Sequence, residues 1–175
     1  MTVLLLMTAN TYRARPFAAA ARRVGLDILW GVDTPEELAD TAGVPLAVDF
    51  RRPDSAVETI VDCAQRRPLQ AILALDDAAS LIAARASLAL GLPHNDPDAA
   101  LAARDKLTMR RALQAGGVPC PHFEAFALDS DPAALAATVR YPCVLKPLLL
   151  NGSRGVIRAN DKQEFVAAWK QVLTV

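Results

Sequence analysis

Lys146 closes an apolar run, Tyr141-Pro142-Cys143-Val144-Leu145-Lys146-Pro147, and is followed after a short leucine stretch by Asn151-Gly152-Ser153-Arg154-Gly155-Val156. A lysine at the end of a buried strand, then a glycine-containing loop and a second strand, can aim one cation and several backbone N–H groups at a single anion. A polyphosphate suits that arrangement. Gly152 and Gly155 would let the backbone turn tightly and come close to phosphate oxygens, and Ser153 could add a hydroxyl donor. The same string also fits an ordinary hairpin turn beside a lysine whose stem lies along apolar surface, so the pattern alone leaves both readings open.

A second group of candidates lies near the start of the chain. The first apolar run leads into Thr8-Ala9-Asn10-Thr11-Tyr12-Arg13, which has no G-x-G-x-x-G, and this disfavours a hydride-transfer domain with a nicotinamide or flavin cofactor. In open α/β sheets the loops after the strands face the ligand crevice, which brings Thr11, Arg13, Arg15, Asp76 and Asp77 forward as substrate-side residues. Capping of the next helix is the competing role for Asp76 and Asp77, and a solvated surface is the competing one for Arg13 and Arg15. His94 and His122 read as structural, and Trp30 and Trp169 fit core positions.

These residues need elements to hold them. Apolar runs at 2–8, 26–32, 45–50 and 69–75 alternate with helical segments near 16–24, 35–42, 55–66 and 78–90. That is the pattern of a parallel, Rossmann-like α/β sheet covered on both faces. Pro16 can open the first helix and Gly25 can close it. Thr34-Pro35-Glu36-Glu37 and the pair Ser55 and Glu58 have capping-box spacing. Leu92-Pro93-His94-Asn95-Asp96-Pro97 breaks the periodicity, and a domain boundary is expected there, giving domains 1–95 and 96–175. Beyond it the sequence predicts helices over 97–103 and 105–115, a strand around 122–127, a helix over 132–139, strands at 142–146 and 155–159, and a final amphipathic helix over 161–173.

Composition narrows the partners. The 175 residues are 53% hydrophobic and 22% charged, and Lys+Arg equals Asp+Glu at 19 each, so no cationic excess is available for nucleic acid or anionic lipid. Val3 to Met7 is too short to span a membrane or to be a signal peptide with its cleavage site, which points to a cytoplasmic protein. Cys63, Cys120 and Cys143 lack C-x-x-C spacing and read as small buried residues in a reducing compartment.

The second half of the chain contains an ordered series: Arg104-Asp105-Lys106, a helix, Gly116-Gly117-Val118-Pro119-Cys120-Pro121, a strand, a helix, and Tyr141 to Pro147. In this series the sequence resembles the ATP-grasp superfamily, in which a D-K pair opens a helix, a G-V-P-x-P step leads into the first lobe and a Y-P-x-V-x-K-P strand supplies a lysine. The resemblance implies a pre-ATP-grasp α/β domain followed by a small α+β first lobe. Lys106 and Lys146 would contact ATP, with Asn151, Gly152, Ser153, Arg154, Gly155 and Val156 as the loop over its phosphates. Only four lysines occur against fifteen arginines, and two of the four fall on these positions. The chain departs from carboxylase-type relatives at Leu148-Leu149-Leu150, where those are rich in glycine.

Activity is likewise what the resemblance implies: an ATP- and Mg2+-dependent ligase that activates a carboxylate as an acyl phosphate and joins it to an amine. After the glycine loop only Asp161 and Glu164 are carboxylates, and both fall where a helix N-terminus would use them, so Mg2+ ligands and catalytic residues are expected outside this chain. The chain is accordingly expected to be the inactive N-terminal part of a longer ligase acting on small molecules, with an exposed surface that favours a homodimer. A non-catalytic α/β module that binds a small ligand or a partner is the alternative.

Overall fold

The computed structural model describes residues 2–175, apart from the side chain of Glu36. It divides into two compact units, one ending at Arg104 and the other spanning Asp105–Val175.

The first unit is a parallel sheet built from βα repeats. β1 (Thr2–Met7), β2 (Asp27–Asp33), β3 (Leu46–Val48) and β4 (Ala71–Ala74) lie in the order β3-β2-β1-β4, and every pairing is parallel. Alternation along β1 explains why the run is apolar throughout. Leu4 and Leu6 enter a cluster with Ala56 and Ile60 of α2 (Pro53–Arg66) and Ile82 and Ala86 of α3 (Ser80–Ala89), whereas Val3 and Leu5 pack on the opposite face with Leu75, Ile28 and Trp30. Gly31 is opposite Leu6 in the register, and a Cβ there would come within 2.6 Å of the Leu6 Cδ2 atom, so the missing side chain is the space that Leu6 fills.

α1 (Ala14–Arg23) ends as the sequence implies. Gly25 has φ +68, its N–H donates to Arg22 and the N–H of Leu26 reaches Ala21, the double bond of a Schellman cap. Pro16 lies inside the first turn rather than at the first position, because the helix begins two residues earlier. The segment expected to be helical over 35–42 is only a 3-10 turn, Glu36–Leu38. The Ser55 and Glu58 capping box does not form: α2 begins at Pro53, whose fixed φ starts the helix, and Ser55 already lies within it, its carbonyl accepting from Thr59. α4 (Pro97–Arg104) packs against α3, and the Arg104 guanidinium donates to the Ala78 carbonyl, so the turn at 92–97 lies within the first unit and not between the units.

The second unit is a two-stranded antiparallel ribbon, β5 (Cys143–Leu145) and β6 (Ile157–Ala159), backed by α7 (Lys162–Val172). Its core is aromatic: Phe165 stacks on Trp169 at 6.1 Å, Tyr141 meets Phe165 edge-on and Phe126 leans on Trp169. α5 (Lys106–Ala115) and the short α6 (Pro132–Ala136) complete the unit. The strand expected at 122–127 is not formed. Pro119 and Pro121 remove two N–H donors just before it, and the segment contributes Phe126 to the aromatic cluster instead of pairing. Asp161 caps α7 by accepting from the N–H of Glu164, whose carboxylate reaches back to the N–H of Asn160. Both acids thus serve the helix start. Among the described residues no helix is long and apolar enough to cross a membrane.

Candidate functional site

Each unit presents one cluster of candidate residues. In the first unit the chain runs from β1 to β2 and β3 on one side, then returns to place β4 on the other, so the reversal of strand order lies between β1 and β4. The loops leaving these two strands are joined there. The carboxylate of Asp76 accepts from the N–H and hydroxyl of Thr8 and from the hydroxyl of Thr11, each at 2.9 Å, so both of its oxygens are engaged. Burial acts to raise the Asp76 pKa, but these three donors together with the Arg13 charge outweigh it and leave the carboxyl below its ordinary range.

The Arg13 guanidinium donates from Nη1 to the carbonyl of Leu75 and lies over the Tyr12 ring, with the ring centroid 5.5 Å away. Of the substrate-side candidates, Thr11, Arg13 and Asp76 therefore come together in one hydrogen-bonded cluster. Thr8 belongs with them and was not singled out from the sequence; a hydroxyl directly after a buried strand was its only signal. Asp76 does not cap the following 3-10 turn with its side chain, because its oxygens are turned to the other loop. Asp77 is exposed and its carbonyl accepts from Ser80, and Arg15 is exposed on α1. A separate cavity of about 120 Å³, lined by Thr34, Asp49, Ser55 and Thr59 among others, contains none of the candidates and is smaller than ordinary cofactor sites.

In the second unit Asp105 caps α5, accepting from the N–H of Thr108 at 2.6 Å, and this fixes Lys106 as the first helical residue. The Lys106 ammonium donates to the carbonyl of Leu148 at 3.0 Å and to that of Leu150. The backbone N–H of Lys106 also donates to the Leu148 carbonyl. Burial and then the nearby charge of Lys146 hold the Lys106 pKa below its ordinary value, against a smaller opposing effect of Asp105.

The loop between β5 and β6 is wound by positive φ angles at Gly152, Ser153 and Gly155. The N–H groups of Arg154 and Val156 close it internally onto Asn151 and Ser153, and the Arg154 side chain folds back onto Asn151. A Cβ on Gly155 would lie 2.9 Å from Cγ of Pro147, so glycine is needed there for close approach as well as for φ +66. The loop and Lys146 are exposed, and Lys106, whose ammonium meets the Leu148 and Leu150 carbonyls at the loop's entrance, is half-buried. Among the described residues no group of three or more His, Cys, Asp or Glu side chains could hold a metal ion. His122 pairs with Glu124, and Cys143 has its thiol pKa pushed up by burial; all three cysteines are only half-buried, not the buried residues expected from the sequence.

Residues 17–94 match the ATP-grasp N-terminal domain. The chain is 35% identical over 83 residues to a D-alanine–D-alanine ligase of Pseudomonas entomophila and 32% identical over 83 residues to one of Pseudomonas putida; each match covers 46% of this chain and 26% of the relative. The chain thus spans about a quarter of the length of these relatives. Among solved structures, an L-amino acid ligase from Bacillus licheniformis superposes with a TM-score of 0.71 at 21% identity, covering 99% of this chain and 42% of that one. An N5-carboxyaminoimidazole ribonucleotide synthetase from Thermus thermophilus gives 0.59 at 24% identity, covering 98% and 44%. These likenesses extend the shared fold across both units. The family match assigns residues 17–94 to an ATP-grasp N-terminal domain, and the solved ligases share the fold of the chain as a whole.

Proposed function

We propose that the chain is the nucleotide-receiving front of an ATP-dependent ligase that joins a carboxylate to an amine. One observation carries this reading: Lys106, set at the start of α5 by the Asp105 cap, holds its ammonium on the Leu148 and Leu150 carbonyls at the entrance to a loop wound by left-handed residues. Burial and then the Lys146 charge disfavour the Lys106 ammonium in the empty site, and a bound polyphosphate offsets that cost. Lys146 neutralises phosphate charge, and backbone N–H groups of the Gly152–Gly155 turn, which is wound by left-handed residues, donate to phosphate oxygens. ATP, when bound, supplies the phosphoryl group that makes the carboxylate an acyl phosphate open to attack by an amine.

The relatives act on D-alanine, and the solved L-amino acid ligase is named for amino acids, so amino acids are the substrate class to test first. The cluster of Thr11, Arg13 and Asp76 is the candidate substrate side, with the spare donors of Arg13 suited to a carboxylate. Mg2+ has no donor cluster among the described residues, and the chain spans only 42% of the L-amino acid ligase. Full turnover is therefore proposed for a protein of that greater length. The 175 residues alone are expected to bind nucleotide weakly and not to ligate.

Titration of the chain with MgATP, followed by calorimetry, tests the reading. Weak saturable binding that falls about tenfold in Lys146→Met, a loss of ~1.4 kcal/mol, supports it. Equal binding by both proteins overturns the role of Lys146, and ATP-dependent ligation of amino acids by the 175 residues overturns the expected lack of turnover.

A further inference from the structure

Lys106 is placed where a cation is ordinarily disfavoured. As the first residue of α5 it faces the positive end of the helix dipole, it is partly buried, and Lys146 adds a second positive charge nearby. Its retention as a lysine therefore needs a compensating interaction, and the geometry shows one. The ammonium donates to two carbonyls, Leu148 and Leu150, two residues apart on the strand-to-loop exit, while the backbone N–H of Lys106 donates again to Leu148.

These are acceptor oxygens at the mouth of a loop whose proposed ligand is an anion. Left unengaged, a carbonyl oxygen repels a phosphate oxygen, so an anion site works only if such acceptors are turned to a donor. An ammonium carries three N–H donors, and two are committed to the carbonyls.

We propose that Lys106 is a positioning residue that braces the mouth of the 147–156 loop, holding the Leu148 and Leu150 carbonyls so that the third N–H and Lys146 remain for an anion. The brace is a property of the nucleotide-free protein; only its consequence for phosphates rests on the reading given above. The leucine stretch then has a reason to lack glycine: a stiff segment presents its carbonyls at a fixed spacing to one ammonium.

Side-chain 15N–1H spectra of the nucleotide-free protein read the brace directly. The Lys106 ammonium is expected to show slowed hydrogen exchange relative to the exposed Lys162 and Lys170, whose signals serve as the internal comparison. An ammonium at position 106 as labile as those two overturns the proposal, and this measurement needs no variant to fold. In Lys106→Met, amide exchange at Arg154 and Val156 is expected to rise about tenfold while α7 amides keep their protection, and Lys106→Arg restores part of the loss. Unchanged loop exchange, or α7 loosened by the same factor, overturns it. Nucleotide is absent throughout, so failure to bind ATP would remove the nucleotide reading and leave these outcomes to decide the brace separately.

Discussion

The two candidate regions are tied down by opposite chemistry. At the ends of β1 and β4 a carboxylate, Asp76, collects one backbone N–H and two hydroxyls; at the mouth of the β5–β6 loop an ammonium, Lys106, collects two backbone carbonyls. The first arrangement uses both oxygens of its ion on internal partners, so the ion itself has little left for a ligand and Arg13 becomes the group that can meet one. The second commits only part of its ion's donors. Internal satisfaction and ligand contact compete for the same lone pairs and N–H groups, and counting them separates a residue that holds a site from one that occupies it.

The largest effect should come from beneath the second region. Phe165 is almost wholly buried and touches both Tyr141 and Trp169, so Phe165→Ala should cost about 3–5 kcal/mol and loosen the ribbon on which the loop stands. Thermal unfolding followed by near-ultraviolet circular dichroism would show it. If the first unit kept its own transition while the second lost cooperativity, the two regions would be energetically separate as well as chemically different.

Next in size is the carboxylate. Asp76→Ala strips three donors of their partner and should cost about 2–3 kcal/mol, read as a lower denaturant midpoint, whereas Asp76→Asn keeps acceptor capacity and should cost less. The same contact predicts a pH dependence with a definite sign. The folded pKa of Asp76 lies below its unfolded value, so its contribution is fully present above the ordinary carboxyl pKa of about 3.9 and is lost as pH falls through the folded value. Acid unfolding of Asp76→Asn should be shallower than that of the unaltered chain over this acidic window. Equal slopes would mean that the clasp is not the acid-sensitive element.

Much of the first unit was legible because buried parallel strands write their whole length in apolar residues, as Val3 to Leu6 do, and because a terminating glycine such as Gly25 leaves a local signature. What sequence could not give was competition. Ser55 and Glu58 have capping spacing, but Pro53 starts the helix earlier; 122–127 has strand-like residues, but two prolines precede it and Phe126 packs on Trp169 instead. The candidate site shows the same limit. Position after a parallel strand brought Asp76 forward and the ATP-grasp resemblance brought Lys106, yet their partners lie 65 to 68 and 42 to 44 residues away along the chain, at distances no local pattern reports.

A smaller effect is expected where the loop turns. Gly155→Ala places a Cβ against Pro147 at a left-handed φ, and should cost about 1–2 kcal/mol from the backbone conformation alone, plus whatever the proline must yield. If the mouth of the loop is shaped by this contact, the substitution should reduce MgATP affinity more than it reduces melting temperature relative to Asp76→Ala. The reverse ranking would assign Gly155 to folding rather than to the mouth.

The smallest effect is the most discriminating. Ser153 is the non-glycine residue of the described chain with positive φ, at 58°, in an exposed turn whose hydroxyl is free to face a ligand. Ser153→Gly removes a strain of about 1–2 kcal/mol but returns roughly 0.5–1 kcal/mol as extra freedom of the unfolded chain, so stability should rise by at most about 1.5 kcal/mol. If serine is kept there only by the turn, the variant gains that stability and binds MgATP as before. If its hydroxyl meets a phosphate, affinity falls while stability rises, and calorimetry on the same sample reads both. Opposed changes of that kind mark strain held for a ligand, which the fully satisfied clasp around Asp76 has no means to produce.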